Sequence, residues 1–178
     1  FLGAPFEPAF WFGEGEDRHL SVFTESAPQV VQQGLRDDVA APVNCATLSR
    51  QWLSAQYAGY RHAPHLYAHA PRPMLKSALH ALEALAPGMF AGVRATVFRS
   101  WRVPALPPDL VPRWMVHQGF ARDKVLDPLH IASGDAHAPR QLAELAARFG
   151  SLPFFCINDT CDEAQDDDPR LLRVAAAL

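Results

Sequence analysis

Phe154-Phe155-Cys156-Ile157-Asn158-Asp159-Thr160 is the stretch on which the fold turns. Its first four residues are apolar without alternation, the pattern of a strand covered on both faces, and Asn-Asp-Thr then ends the run. Just upstream, Pro139 opens a helical pattern with Leu142, Leu145 and Phe149 on one stripe, and Gly150 stands where a C-cap is expected. Helix, short turn and buried strand in succession is the order of an α/β layer. The expected fold class is therefore α/β, with layered helices and short buried strands.

Working outward, Leu129-His130-Ile131-Ala132 and Ala95-Thr96-Val97-Phe98 read as further short strands. Pro73 opens the clearest helical run, with Leu75, Leu79 and Leu82 on one face and Pro87-Gly88 as its stop. Asp168-Pro169 has the form of an N-cap followed by the first helical residue. Asn44 is placed to cap a helix carrying Leu48 and Trp52, and Leu110, Trp114 and Met115 mark another after Pro107-Pro108. Residues 1–24 read as loops and short strands, and residues 25–178 as a helix-rich α/β part. No internal repeat with a period of about 20–50 residues is visible, and no linker is long enough to divide the chain.

Composition narrows the classes of function. The 178 residues hold 16 Lys+Arg against 19 Asp+Glu, a net charge of −3, which argues against a nucleic-acid partner held by bulk electrostatics. With 49% hydrophobic and 20% charged residues the chain has globular composition, and wholesale disorder is excluded. No apolar run approaches the ~20 residues of a membrane span, so no transmembrane segment is expected. Peripheral association with a membrane stays compatible with this composition. Three cysteines, Cys45, Cys156 and Cys161, lack the spacing of a disulfide framework, so a reducing, cytoplasmic setting is expected. Cys156 and Cys161 have no second pair to complete a zinc site. The chain begins in the apolar stretch Phe1-Leu2-Gly3-Ala4-Pro5-Phe6 and ends inside a helical pattern at Ala175-Ala176-Ala177-Leu178. A fragment of a larger catalytic domain is expected, inactive by itself.

Three segments could carry chemistry. His69-Ala70-Pro71-Arg72-Pro73 puts a histidine on a Pro-restrained turn ahead of a helix N-terminus. Such a histidine suits proton transfer, and the helix start together with Arg72 favours an anion. The bland alternative is a histidine packed in a turn, and His62-Ala63-Pro64-His65 is a near copy. Phe98-Arg99-Ser100-Trp101-Arg102 offers Arg99, whose fork suits phosphate, or simply a surface arginine beside an aromatic. Asn158-Asp159 sits at the C-terminal end of the Phe154 strand, where open α/β sheets place ligands. There Asp159 could orient a base or bind a hard cation, or merely close the strand in an Asx turn. The acidic residues Asp162, Glu163, Asp166, Asp167 and Asp168 lack the glycine of a calcium loop and read as a solvated loop ending in a helix cap. No phosphate-binding P-loop, dinucleotide glycine fingerprint or nucleophile elbow is present.

In their order, these segments resemble the Stealth family of sugar-1-phosphate transferases, which includes bacterial capsular-polysaccharide polymerases and the animal enzyme that makes the mannose 6-phosphate lysosomal tag. Phe1-Leu2-Gly3 is similar to the end of the family's Asn-Asp-Asp-x-Phe-Leu-Gly segment. His69-Ala70-Pro71-x-Pro73 precedes its helix, Arg99 follows thirty positions after His69, and Phe154-Phe155-Cys156-Ile157-Asn158-Asp159 is similar to Phe-(Phe/Leu)-Cys-(Leu/Ile)-Asn-Asp. The resemblance implies a nucleoside diphosphate sugar donor and a glycan acceptor, whose hydroxyl attacks the sugar-linked phosphorus to form a phosphodiester.

By matching position, His69 is then the acid/base, Arg99 the phosphate clamp, and Asp159 the carboxylate that orients His69 or holds a divalent cation, Mg2+ or Mn2+. Arg72 and Asn158 are expected at the substrate, and His117 as core or support. The family's earlier Asp-bearing segment is absent, which is why the isolated chain is expected to be inactive. Abundant alanine with 14 Arg to 2 Lys points to a GC-rich bacterial genome, hence to capsule or exopolysaccharide synthesis. Two alternatives stay open: a metal-dependent phosphodiesterase or conventional glycosyltransferase using the same residues, and a non-catalytic glycan- or nucleotide-binding module that uses Trp11, Phe12 and Trp101.

Overall fold

The computed structural model describes residues 11–12, 19–26, 41–61, 65–96, 103–126, 128–161, 163–165 and 167–177. Helices and short strands in small sheets give an α/β architecture. The chain divides into two compact units: one holds Phe1–Tyr67 with Arg72–Leu126, the other Ala68–Pro71 with Asp127–Leu178. Among the described residues no helix is long and apolar enough to cross a membrane.

The first unit contains β1 (Trp11–Phe12), β2 (His19–Thr24), α1 (Ala41–Gln56), α2 (Lys76–Leu85), α3 (Pro87–Ala95), a π-turn (Leu106–Leu110), α4 (Val111–His117) and β3 (Ala121–Val125). β2 is the middle strand, antiparallel to β1 and parallel to β3 with Leu20 opposite Ala121. Every residue from Leu20 to Thr24 is buried, so the strand covered on both faces is this one. Leu20 and Val22 join Leu53, Leu82, Phe90, Leu110, Trp114 and Met115 in one core. The expected helix after Pro107-Pro108 is present as α4, and Leu110, Trp114 and Met115 are buried as its pattern required. It ends in a Schellman cap: Gly119, at φ 79, donates to Val116 O, and Phe120 N donates to Met115 O.

Several expectations shift at the helix ends. α2 begins at Lys76 and not at Pro73, because the chain is still extended at Leu75. Pro87 does end that run, but a proline is also well suited to a first helical position, and α3 restarts there after Ala86 alone. α3 carries through Ala95, so the strand expected from Ala95 starts inside a helix; Val97 and Phe98 lie outside the described residues. Asn44 is no cap either. α1 starts at Ala41, which puts Asn44 inside its first turn, fully buried. In the same helix Thr47 and Ser49 donate to the carbonyls of Val43 and Cys45, which satisfies two hydroxyls buried in the core.

The second unit is a βαβ element with one more helix: β4 (Leu129–Ala132), α5 (Ala138–Arg148), β5 (Phe155–Asn158) and α6 (Pro169–Ala177). β4 and β5 are parallel, with His130 opposite Cys156 and Ala132 opposite Asn158. Pro139 stands in the first turn of α5, and Leu142 and Leu145 pack on Ile131 with Leu129, Ile157 and Val174 around them. Asp168 caps α6 as expected, its Oδ1 accepting from Arg170 N at 2.8 Å. Two expectations fail here. Gly150 does not form a left-handed cap, since Phe149 is the C-cap in right-handed conformation and Ser151 and Leu152 donate back to Arg148 O. The Phe154 strand is not buried on both faces: Phe155 is 38% exposed and Cys156, Ile157 and Asn158 are half-buried. A two-stranded sheet with a helical layer against its Ile131–Ile157 side leaves the opposite side uncovered by that layer, and both its strands are edges.

Candidate functional site

Side chains alternate along a strand, so the register of β4 on β5 sorts them into two sets. Leu129, Ile131 and Ile157 pack against α5 and α6. His130, Cys156 and Asn158 belong to the other face, and Asn158 stands at the C-terminal end of β5, where parallel strands commonly present ligand-binding groups. His69, carried by the 68–71 segment that belongs to this same unit, stacks its ring on His130 with centroids 4.5 Å apart and planes at 28°.

The resulting cluster has three potential donors. One ligand atom from each of His69, His130 and Cys156 lies within 4.8 Å of the others; His69 is exposed, His130 and Cys156 half-buried. The amide of Asn158 lies between two of them. Its Nδ2 is 3.1 Å from His130 Nε2, and its Oδ1 accepts from the Cys156 thiol at 3.4 Å. Gln141, reaching down from α5, donates to His130 O at 3.0 Å and ties the strand to the helix. The two motifs singled out in the sequence, around His69 and around Asn158, therefore meet through His130.

Asp159 faces a different task. Its Oδ1 accepts from Ser133 Oγ at 3.1 Å and from Cys161 N at 3.0 Å, while Ser133 Oγ in turn accepts from Thr160 N at 3.0 Å. Gly134 N donates to Thr160 Oγ1 at 2.9 Å, so two loops are laced together beyond the strand ends. This is the Asx-turn alternative, enlarged into a clasp between the loop after β4 and the loop after β5. Gly134 is required there for space: a Cβ would sit 2.9 Å from Thr160 O. The link between Asp159 and the histidine cluster is the chain itself, through the adjacent Asn158.

Arg72 belongs to the first unit, where its Nε donates to Pro108 O at 2.8 Å and its Nη2 reaches Tyr67 O at 3.5 Å. Those contacts hold the chain ahead of α2 against the π-turn. Beside it lies an element the sequence reading did not single out. Arg113, fully buried on α4, donates from Nε to both carboxylate oxygens of Asp109 at 2.9 Å, and from Nη2 to His65 O. Its guanidinium also lies 5.0 Å from the Tyr67 ring centroid. Asp109 is one helical turn ahead in the sequence, and that i,i+4 spacing of opposite charges was the available signal. His117 is half-buried and packs its ring on Tyr57 and Tyr60, a supporting role as read from the sequence.

Arg99 lies outside the described residues, as do Phe1-Leu2-Gly3, His62, Trp101, Asp162 and Asp166. The described acidic residues match the solvated loop: Glu163 and Asp168 both accept from Arg170. Sequence reading named β4 as a strand but passed over His130, the residue through which the cluster is joined. Its position was legible: it alternates with Leu129 and Ile131 and so must share a face with Cys156 once the two strands pair in register.

A hard cation such as Mg2+ or Mn2+ takes oxygen ligands. The grouping of three donors among the described residues brings two imidazole nitrogens and a sulfur, and Asp159 is no part of it. The described residues thus do not build a hard-cation centre around Asp159, whose Oδ1 already accepts two hydrogen bonds. Compared with known proteins, the chain matches no protein-family model and no curated protein significantly.

Proposed function

We propose that the chain serves the transfer of a sugar 1-phosphate from a nucleoside diphosphate sugar to a hydroxyl of a glycan acceptor, in cytoplasmic assembly of a bacterial capsule or exopolysaccharide. The observation that carries this reading is the meeting of its two motifs: the His69 ring lies on His130, and His130 is held by Asn158 of the Phe-Phe-Cys-Ile-Asn-Asp strand. Motif segments far apart in sequence have reason to converge when they share a reaction.

In this reading the acceptor oxygen attacks the phosphorus bonded to the sugar. The bond from that phosphorus to the bridging oxygen breaks, and nucleoside monophosphate leaves with that oxygen. The proton of the attacking hydroxyl goes to a ring nitrogen of His69, exposed and therefore open to an acceptor. Stacking on His130 places that ring beside the β4–β5 pair. Asn158 is a positioning residue acting through His130, and the Asp159 clasp holds the strand end from which Asn158 projects. By the resemblance alone, Arg99 covers the phosphate charge and Arg72 contributes at the substrate.

The test is product analysis with the protein as its gene encodes it, given a panel of nucleoside diphosphate sugars and glycan acceptors. Phosphorus NMR of the product should show a phosphodiester, with nucleoside monophosphate released in equal amount. His69→Ala should lower turnover by about 10²–10⁴-fold with the fold preserved. A glycosidic product without phosphate would give the conventional glycosyltransferase instead. Turnover unaffected by His69→Ala would leave these residues a binding role.

A further inference from the structure

We propose that His69, His130 and Cys156 form a binding site for a zinc ion, with Asn158 as the residue that orients two of the three ligands. The donors identify the metal. Two imidazoles and a thiolate are borderline-to-soft ligands, matched by Zn2+ and not by Mg2+, Ca2+ or Mn2+. Three protein ligands leave one tetrahedral position open to water or an anion, the arrangement of reactive rather than purely structural zinc.

Geometry supports the assignment at three points. Tetrahedral zinc, with Zn–N about 2.0–2.1 Å and Zn–S about 2.3 Å, holds its ligand atoms roughly 3.4–3.7 Å apart. The 4.8 Å span of the cluster is therefore about 1.1–1.4 Å wider than a closed site. Closure needs the ring nitrogens to turn toward a common centre, and the ligand able to do so is His69, exposed on a segment of no regular structure. The other two are register partners on adjacent parallel strands, so the backbone fixes their spacing. Finally, Asn158 already touches both His130 Nε2 and Cys156 Sγ. Metal-binding histidines donate their other ring N–H to a neighbouring acceptor, so in the zinc-bound form the Asn158 amide turns over: Oδ1 accepts from His130 Nε2–H, Nδ2 donates to the Cys156 thiolate, and His130 Nδ1 is left for the metal.

The site stands on these contacts whatever reaction the chain supports. One consequence rests on the transferase reading: a His69 nitrogen bound to zinc cannot accept a proton, so zinc would suppress sugar-phosphate transfer.

The experiment is cobalt substitution in the full protein after chelator treatment. Co2+ should produce a thiolate-to-cobalt charge-transfer band and the intense visible bands of a tetrahedral site, and one equivalent of Zn2+ should abolish both. Cys156→Ser should remove the charge-transfer band, whereas Cys45→Ala should keep it. His69→Ala, at an exposed position outside the core, should weaken Zn2+ at least tenfold without loss of fold by circular dichroism. Asn158→Ala should weaken it about 10–100-fold. Absence of the cobalt bands, or their survival in Cys156→Ser, would overturn the zinc site. A cobalt spectrum from a protein that never forms a phosphodiester would instead sink the transferase reading and leave the zinc site standing.

Discussion

The two units treat their polar groups in opposite ways. In the first, the charged pair Arg113–Asp109 lies in the interior with its hydrogen bonds directed at the protein itself: carboxylate, backbone carbonyl and the Tyr67 ring face. In the second, the core cluster under the sheet is aliphatic, and polar groups line a sheet face and the loops beyond the strand ends. Burial makes an ion pair in the first unit a matter of folding, because neither charge can fall back on water. Partial exposure makes the His69–His130–Cys156 cluster a matter of binding, because its donors remain reachable. A buried arginine can thus be less informative about function than an exposed histidine.

That contrast can be broken by substitution. The largest effect is expected from Asp109→Ala, which leaves the Arg113 guanidinium buried without its carboxylate and should destabilise the first unit by about 3–5 kcal/mol. Urea denaturation followed by hydrogen exchange should place the loss on residues of α1, α4 and β2. Intact protection in those elements would show that the pair is dispensable.

Gly134→Ala comes next. A Cβ at 2.9 Å from Thr160 O must push the two laced loops apart. A cost of about 1–3 kcal/mol is expected, confined to the second unit, with weaker cobalt binding as Asn158 shifts. Unchanged stability and binding would show that the clasp yields freely.

A smaller effect is expected from pH in the first unit. Burial, and then the nearby Arg113 charge, hold His65 below the ordinary imidazole range. The unfolded chain therefore takes up a proton more readily than the folded one as pH falls below about 6.5, and stability should decline there. Urea midpoints measured across that window should show a slope that His65→Gln reduces. An identical slope in the variant would remove His65 from the account.

The smallest effect is local. The Arg170 side chain, with its backbone N–H, draws the Asp168 carboxyl down to about 2. A depressed carboxyl stabilises above its unfolded value near ~3.9 and loses that contribution as pH falls toward the folded one. Asp168→Ala should fray the start of α6 in hydrogen exchange near neutral pH without disturbing α5. Loss of protection throughout the second unit would show the cap to be a global support.

Much of the local structure could be read from the chain because its causes are local. The stripe Leu142–Leu145 and Pro139 placed α5, and Asp168-Pro169 placed the start of α6. Leu110, Trp114 and Met115 marked the buried run from the π-turn into α4. Where the reading failed, the deciding cause lay outside the segment. Pro87 both stops one helix and starts the next, and nothing within Pro87-Gly88 says which direction the chain takes afterward. An apolar run such as Phe154–Ile157 records that a strand is present but not how many layers will cover it.

The candidate site divides along the same line. His69 and Asn158 stood out by motif and spacing, since each is marked by its own neighbours in sequence. His130, Cys156 as a donor and the Arg113–Asp109 pair became meaningful only through contact. The sequence by itself determined the helix stripes, the helix starts marked by Pro139 and Asp168, and the presence of both β4 and β5, because propensity and periodicity act over a few residues. Only the tertiary structure decided that β2 is the strand buried on both faces. It alone set His130 opposite Cys156 under the ring of His69. Strand register and burial depend on pairing between distant segments, and no local pattern records which partner a strand will find.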